Sequence, residues 1–110
     1  MIIKQGADKV YIFYIYDMGG NLIKTPPTDI QFTAACPNNP YQSVLVKSWQ
    51  KGITLDEETG KYTMTIDSTD TLNLVPAKYP FDIKIKRGNR QYFVVLSGTM
   101  DIRQAYTGEI

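Results

Sequence analysis

The 110-residue chain sets 12 basic against 11 acidic residues, a formal net charge of +1, and is 43% hydrophobic. That length fits a single domain spanning residues 1–110 with a core of its own, and the charge balance argues against a dedicated nucleic-acid binder or a polybasic membrane-surface protein. With no histidine and one cysteine, the chain has no histidine base, histidine metal ligand, Ser-His-Asp triad, intrachain disulfide or multi-cysteine metal site.

Residues 1–6 hold no sustained apolar segment of the signal-peptide kind. The longest apolar run, residues 10–16, falls far short of the roughly 20 residues that span a bilayer, so synthesis and folding in a cytoplasm are expected. This run is apolar on both faces, which predicts either a central strand or a strand covered on its outer side by a partner. Met18-Gly19-Gly20-Asn21 and Thr25-Pro26-Pro27 carry turn chemistry. Residues 29–35 predict a strand with Ile30, Phe32 and Ala34 on one face, followed by a turn over Cys36-Pro37-Asn38-Asn39-Pro40. Residues 43–48 and 52–55 are weaker strand candidates on either side of Trp49, and Asp56-Glu57-Glu58-Thr59-Gly60 reads as a turn.

Residues 61–67 alternate cleanly, with Tyr62, Met64 and Ile66 on one face and Lys61, Thr63, Thr65 and Asp67 on the other. Ser68 is placed to cap one helical turn over residues 68–74, which Pro76 stops. Residues 78–86 put Tyr79, Phe81, Ile83 and Ile85 inward and Lys78, Asp82, Lys84 and Lys86 outward. After the turn Arg87-Gly88-Asn89-Arg90, residues 91–100 form a last strand, with Tyr92, Val94 and Leu96 on one face and Phe93 and Val95 on the other. Seven or eight short antiparallel strands and at most one helical turn predict an all-β, immunoglobulin-like β-sandwich, with a small barrel as the alternative.

The candidate sites are sparse. Asp56-Glu57-Glu58 lacks the alternating spacing of a calcium loop and reads as a solvated turn. Lys84, Lys86, Arg87 and Arg90 with Tyr92 and Phe93 could track a nucleic-acid strand, but they also fit the outward face of a hairpin, which the neutral net charge favours. Cys36 has no adjacent cation to activate it and reads as a bystander thiol. Tyr79 sits where sandwiches place a tyrosine bonded to local backbone, a structural role. Asp82 is read as a second structural residue, either exposed or bonded to a neighbouring loop. Tyr11, Phe13, Trp49 and Tyr106 are the candidate interaction surface, because exposed aromatics serve both protein contacts and sugar stacking, with a place in the core as the alternative for Trp49. No cofactor or metal is expected, and the chain is read as a binding or structural protein and not an enzyme.

The order of several segments adds a resemblance. Lys4-Gln5-Gly6-Ala7-Asp8 is followed by Asp17-Met18-Gly19-Gly20-Asn21, Gly52-Ile53-Thr54-Leu55-Asp56 and Glu58-Thr59-Gly60-Lys61-Tyr62. Then come Thr69-Asp70-Thr71-Leu72, residues 74–83 and Leu96-Ser97-Gly98-Thr99-Met100-Asp101-Ile102. This series resembles a family of small phage and prophage proteins, similar to the N-terminal domain of phage baseplate upper proteins. The resemblance covers about residues 4–107 and departs from the family at Ala77 and Lys78, where a glycine is frequent. It implies an immunoglobulin-like sandwich in a tail, baseplate or adaptor, with no catalytic residues. It also implies other phage structural proteins as partners and a place in the virion after synthesis in the bacterial host, while the doubly apolar run at residues 10–16 makes a homo-oligomer possible. A carbohydrate- or surface-binding module is the alternative.

Overall fold

Alternation of apolar and polar side chains builds most of this molecule, and the computed structural model describes it for residues 1–89 and 91–104. Eight strands follow one another: β1 (Ile2–Lys4), β2 (Lys9–Phe13), β3 (Asp29–Cys36), β4 (Asn39–Trp49), β5 (Gly52–Asp56), β6 (Lys61–Ile66), β7 (Ala77–Lys86) and β8 (Phe93–Arg103). One helical turn, α1 (Ser68–Thr71), lies between β6 and β7. The strands pair in the order β1-β8-β7-β3-β4-β5-β6-β2.

The sheet divides physically at β4 and β5. They share two parallel pairs, Ser48 with Gly52 and Trp49 with Ile53. The corner between them needs left-handed backbone at Gln50 (φ 61°) and Gly52 (φ 102°). The chain folds over here, so β1-β8-β7-β3-β4 forms one layer of an all-β sandwich and β5-β6-β2 the other. The layers are continuous along this side, which gives the sandwich a barrel-like section. They meet through side chains of the inner rows: Ile30, Phe32 and Ala34 of β3, Tyr62, Met64 and Ile66 of β6, and Tyr79, Phe81, Ile83 and Ile85 of β7 are all buried in one cluster. Burying each large side chain of this kind contributes about 1.5–3 kcal/mol. Tyr11 reaches from β2 to Phe81 of β7 across the layers, edge to face, at 6.3 Å between ring centres.

Several elements differ from expectation. β1 was not anticipated; it is too short to show a period, and it pairs parallel to β8 with Ile3 buried. The sheet is therefore mixed, with two parallel pairings among the antiparallel ones. β3 and β4 run on through the region read as a wide turn, with Cys36 pairing with Asn39. β8 begins at Phe93 and reaches Arg103, and its register against β7 slips after Ile83, so Val95 is an extra residue and the simple two-face alternation fails there. The helical turn is capped by Asp67, one residue before Ser68, with the Asp70 carboxylate accepting the Asp67 N–H at 2.7 Å.

The first loop is fastened to this turn. Gln5 Nε2 donates to the Leu74 carbonyl at 2.7 Å, Gly6 N–H to the buried Thr71 Oγ1 at 3.0 Å, and Ser68 N–H to Asp8 Oδ1 at 2.6 Å. Lys47 of β4 adds an ion pair with Asp70 at 2.7 Å.

Candidate interaction surface

β2 has apolar residues on both faces, but burial separates them. Phe13 and the following Ile15 are each 7% exposed. Phe13 stacks on Tyr62 with ring centres 5.1 Å apart. The alternate residues Val10, Ile12, Tyr14 and Tyr16 are between 46% and 59% exposed and form an outer apolar row.

Among the described residues β2 is an edge strand, not a central one: it pairs with β6 and terminates the sheet order. Its extension forms a hairpin with residues 21–23, in which the Ile15 carbonyl accepts the Ile23 N–H and the Asp17 N–H donates to the Asn21 carbonyl, both at 2.9 Å. Backbone groups of successive strand residues point to opposite sides, so those of Tyr14 and Tyr16 face away from the hairpin.

On that far side lies a cleft of about 440 Å³, lined by Tyr11, Phe13, Tyr14, Tyr16, Val95 and Leu96 among others. Its opposite wall is the part of β8 that β1 does not cover, since β1 pairs only from Asp101 to Arg103. The sandwich is thus closed along the β4–β5 side and open between β2 and β8. Lys9 and Asp17 flank the run at residues 10–16 at its two ends and are both exposed, and Asp17 Oδ1 accepts the Asn21 N–H at 2.9 Å.

The expected interaction residues are redistributed. Phe13 belongs to the core and Tyr11 is half-buried against Phe13 and Phe81, so their place in an exposed aromatic surface is corrected. The phase of the strand is the reason: the odd-numbered residues face inward. Sequence reasoning found the strand but missed Val10, Ile12, Tyr14 and Tyr16 as its exposed row, because two equally apolar rows carry no sign of which one a neighbour covers. Trp49 is half-buried and lines a separate cleft with Pro26, Gln50, Thr54, Leu55 and Glu57. It therefore shares no platform with Tyr11. Tyr106 lies outside the described residues.

The other singled-out residues lie elsewhere on the sandwich. The Tyr79 hydroxyl donates to the Val75 carbonyl at 2.5 Å, and burial raises its pKa, with the nearby Cys36 thiol adding to the shift. Asp82 stands on the outer face between Thr33 and Ser97 in register, half-buried, and its Oδ1 has no hydrogen-bond partner among the described residues. In the basic hairpin, Lys86 Nζ lies 5.6 Å from the Tyr92 ring centre and the Tyr92 hydroxyl donates to Asp29. That bond is the main cause of a raised Tyr92 pKa. Arg87 donates to the Thr25 carbonyl and hydroxyl at 3.3 and 3.2 Å. Among the described residues no acidic, cysteine or histidine cluster could hold a metal ion, and no helix is long and apolar enough to cross a membrane.

No protein-family model matches the chain. No curated protein matches it.

Proposed function

We propose that this chain is a non-catalytic assembly domain of a tailed phage or prophage, acting in the tail, baseplate or an adaptor. The observation that carries the assembly part is the row Val10, Ile12, Tyr14 and Tyr16, about half exposed along the edge strand β2 and its extension, whose far side is free among the described residues. Natural sheet edges are guarded by charges, proline, bulges or a covering element, and β2 has no charge or proline between Lys9 and Asp17. An edge of that kind supports docking by strand addition or by its apolar face. The phage setting rests on the resemblance of the ordered turn segments. Three residues of the opening segment, Gln5, Gly6 and Asp8, fasten the first loop to α1, so that part of the resemblance is architectural and marks no reactive group.

The test is mass spectrometry of purified phage particles induced from the bacterium that encodes the chain. Peptides of this protein at a fixed copy number relative to tail proteins are the expected result. Clean particles that lack it would remove the reading of a virion component.

A further inference from the structure

We propose that the partner of β2 is a second copy of this chain, joined antiparallel along the free edge with Phe13 opposite Phe13 on a two-fold axis. The inference deepens the assembly reading and rests on it for the use of this surface; its argument comes from the strand itself. The Ile15 carbonyl and Asp17 N–H are taken by the hairpin, which leaves the backbone groups of Tyr14 and Tyr16 on the free side. Side chains keep alternating in and out from Val10 to Tyr16, so the same backbone parity places the groups of Ile12 and Val10 on that side as well. The cleft between β2 and β8 leaves space beside them.

Centring the pair on Phe13 makes the edge self-complementary. Ile12 meets Tyr14 of the second copy, Val10 meets Tyr16, Tyr11 meets Ile15, and Lys9 meets Asp17. The first two are hydrogen-bonded pairs of a β-branched and an aromatic side chain, and the last pairs opposite charges; both kinds stabilise an antiparallel ladder. Lys9 has no ion pair of its own among the described residues, and the Asp17 side chain is exposed. The neighbouring registers that present the same backbone groups lose this match. Centred on Ile12, Lys9 faces Ile15 and Asp17 faces Ala7. Centred on Tyr14, Asp17 faces Tyr11 and Lys9 faces Gly19. A two-fold contact of this kind closes on itself and yields a dimer, with β5-β6-β2 of one copy continuous with β2-β6-β5 of the other.

The experiment is sedimentation equilibrium on the full chain, comparing the native protein, Lys9→Glu, Asp17→Lys and an equal mixture of the two variants, with circular dichroism confirming each fold. The native chain is expected to dimerise. Each variant places like charges opposite each other twice and is expected to self-associate about tenfold more weakly. The mixture restores both attractive pairs and is expected to regain the native affinity as a heterodimer. Because Asp17 also holds the turn, Asp17→Asn, which keeps an acceptor for Asn21, serves as the second variant and is expected to weaken the dimer less than Asp17→Lys. A native chain that remains monomeric at high micromolar concentration overturns the pairing, as does a dimer indifferent to both reversals or a mixture no tighter than either variant alone. A monomer found at fixed stoichiometry in particles would refute self-pairing and leave the assembly reading intact. A dimer with the charge-swap behaviour that is absent from particles would keep the pairing and remove the reading of a virion component.

Discussion

Two buried tyrosines show how one hydroxyl can stabilise or burden the same core. Tyr79 donates to the Val75 carbonyl, so Tyr79→Phe leaves that carbonyl without its donor and is expected to cost about 1 kcal/mol. The Tyr62 hydroxyl is buried with no hydrogen-bond partner among the described residues, and Tyr62→Phe is expected to raise stability by about 1 kcal/mol. Urea midpoints at unchanged m-value would measure both. Burial also raises the pKa of both phenols, and the Arg87 guanidinium opposes part of the shift at Tyr62. A folded-state value above the unfolded value of about 10 favours the folded state below that pH. That contribution is lost as pH rises through the folded values. Stability should therefore fall above about pH 10, and less steeply in Tyr62→Phe. Gly98 makes a steric case of the same size. A Cβ there would lie 2.9 Å from the Phe81 ring, so Gly98→Ala is expected to cost about 1–3 kcal/mol through displaced packing, read from the same urea midpoints.

At the level of elements, the strands with one apolar face and one polar face were legible from residue order. β6 and β7 show this best: Tyr62, Met64 and Ile66, then Tyr79, Phe81, Ile83 and Ile85, are buried as their alternation required. β2 was legible as a strand but not as an edge, since edge or centre depends on which partner arrives and not on the strand's own period. β1 left no readable pattern in three residues, and the slip at Val95 depends on the β7 register, which residue order does not display. Fastenings between distant segments were equally hidden. Thr71 reads as one of several threonines near a helical turn, yet it is fully buried and accepts the Gly6 N–H. Thr71→Val keeps the shape and removes the acceptor, so a loss of about 1–3 kcal/mol is expected. Faster amide exchange at Gly6 would show that the first loop has loosened. At the β4–β5 corner, Gln50 holds a positive φ that costs a non-glycine residue about 1–2 kcal/mol. Gln50→Gly relieves it and is expected to raise the thermal midpoint slightly, whereas Gly52→Ala, at φ 102° and with a Cβ 2.6 Å from the Lys47 side chain, is expected to lower it.

For the whole molecule, the candidate surface was half visible in advance. The run at residues 10–16 announced an apolar excess beyond the needs of one core, but Phe13 and Tyr11 turned inward and the exposed half fell to their neighbours. If β2 pairs with a second copy, folding and association are linked. The thermal midpoint of the native chain should then rise with protein concentration, while that of Lys9→Glu should stay nearly flat, which scanning calorimetry over a dilution series would check.

The parallel pairing of β1 with β8 bears on how the chain comes to be folded as it is made. The Met1 ammonium reaches the Thr99 carbonyl across a separation of 98 residues. Since β1 pairs with β8 and the ribosome delivers residues in order, β1 leaves the tunnel before the six strands that separate it from β8 and waits for β8 before its ladder can form. The layer of β2, β5 and β6 can close while β7 and β8 are still being synthesised. Contacts of such long sequence separation form late and slow folding. Ile3 therefore stays wet on the nascent chain until β8 has emerged to cover it.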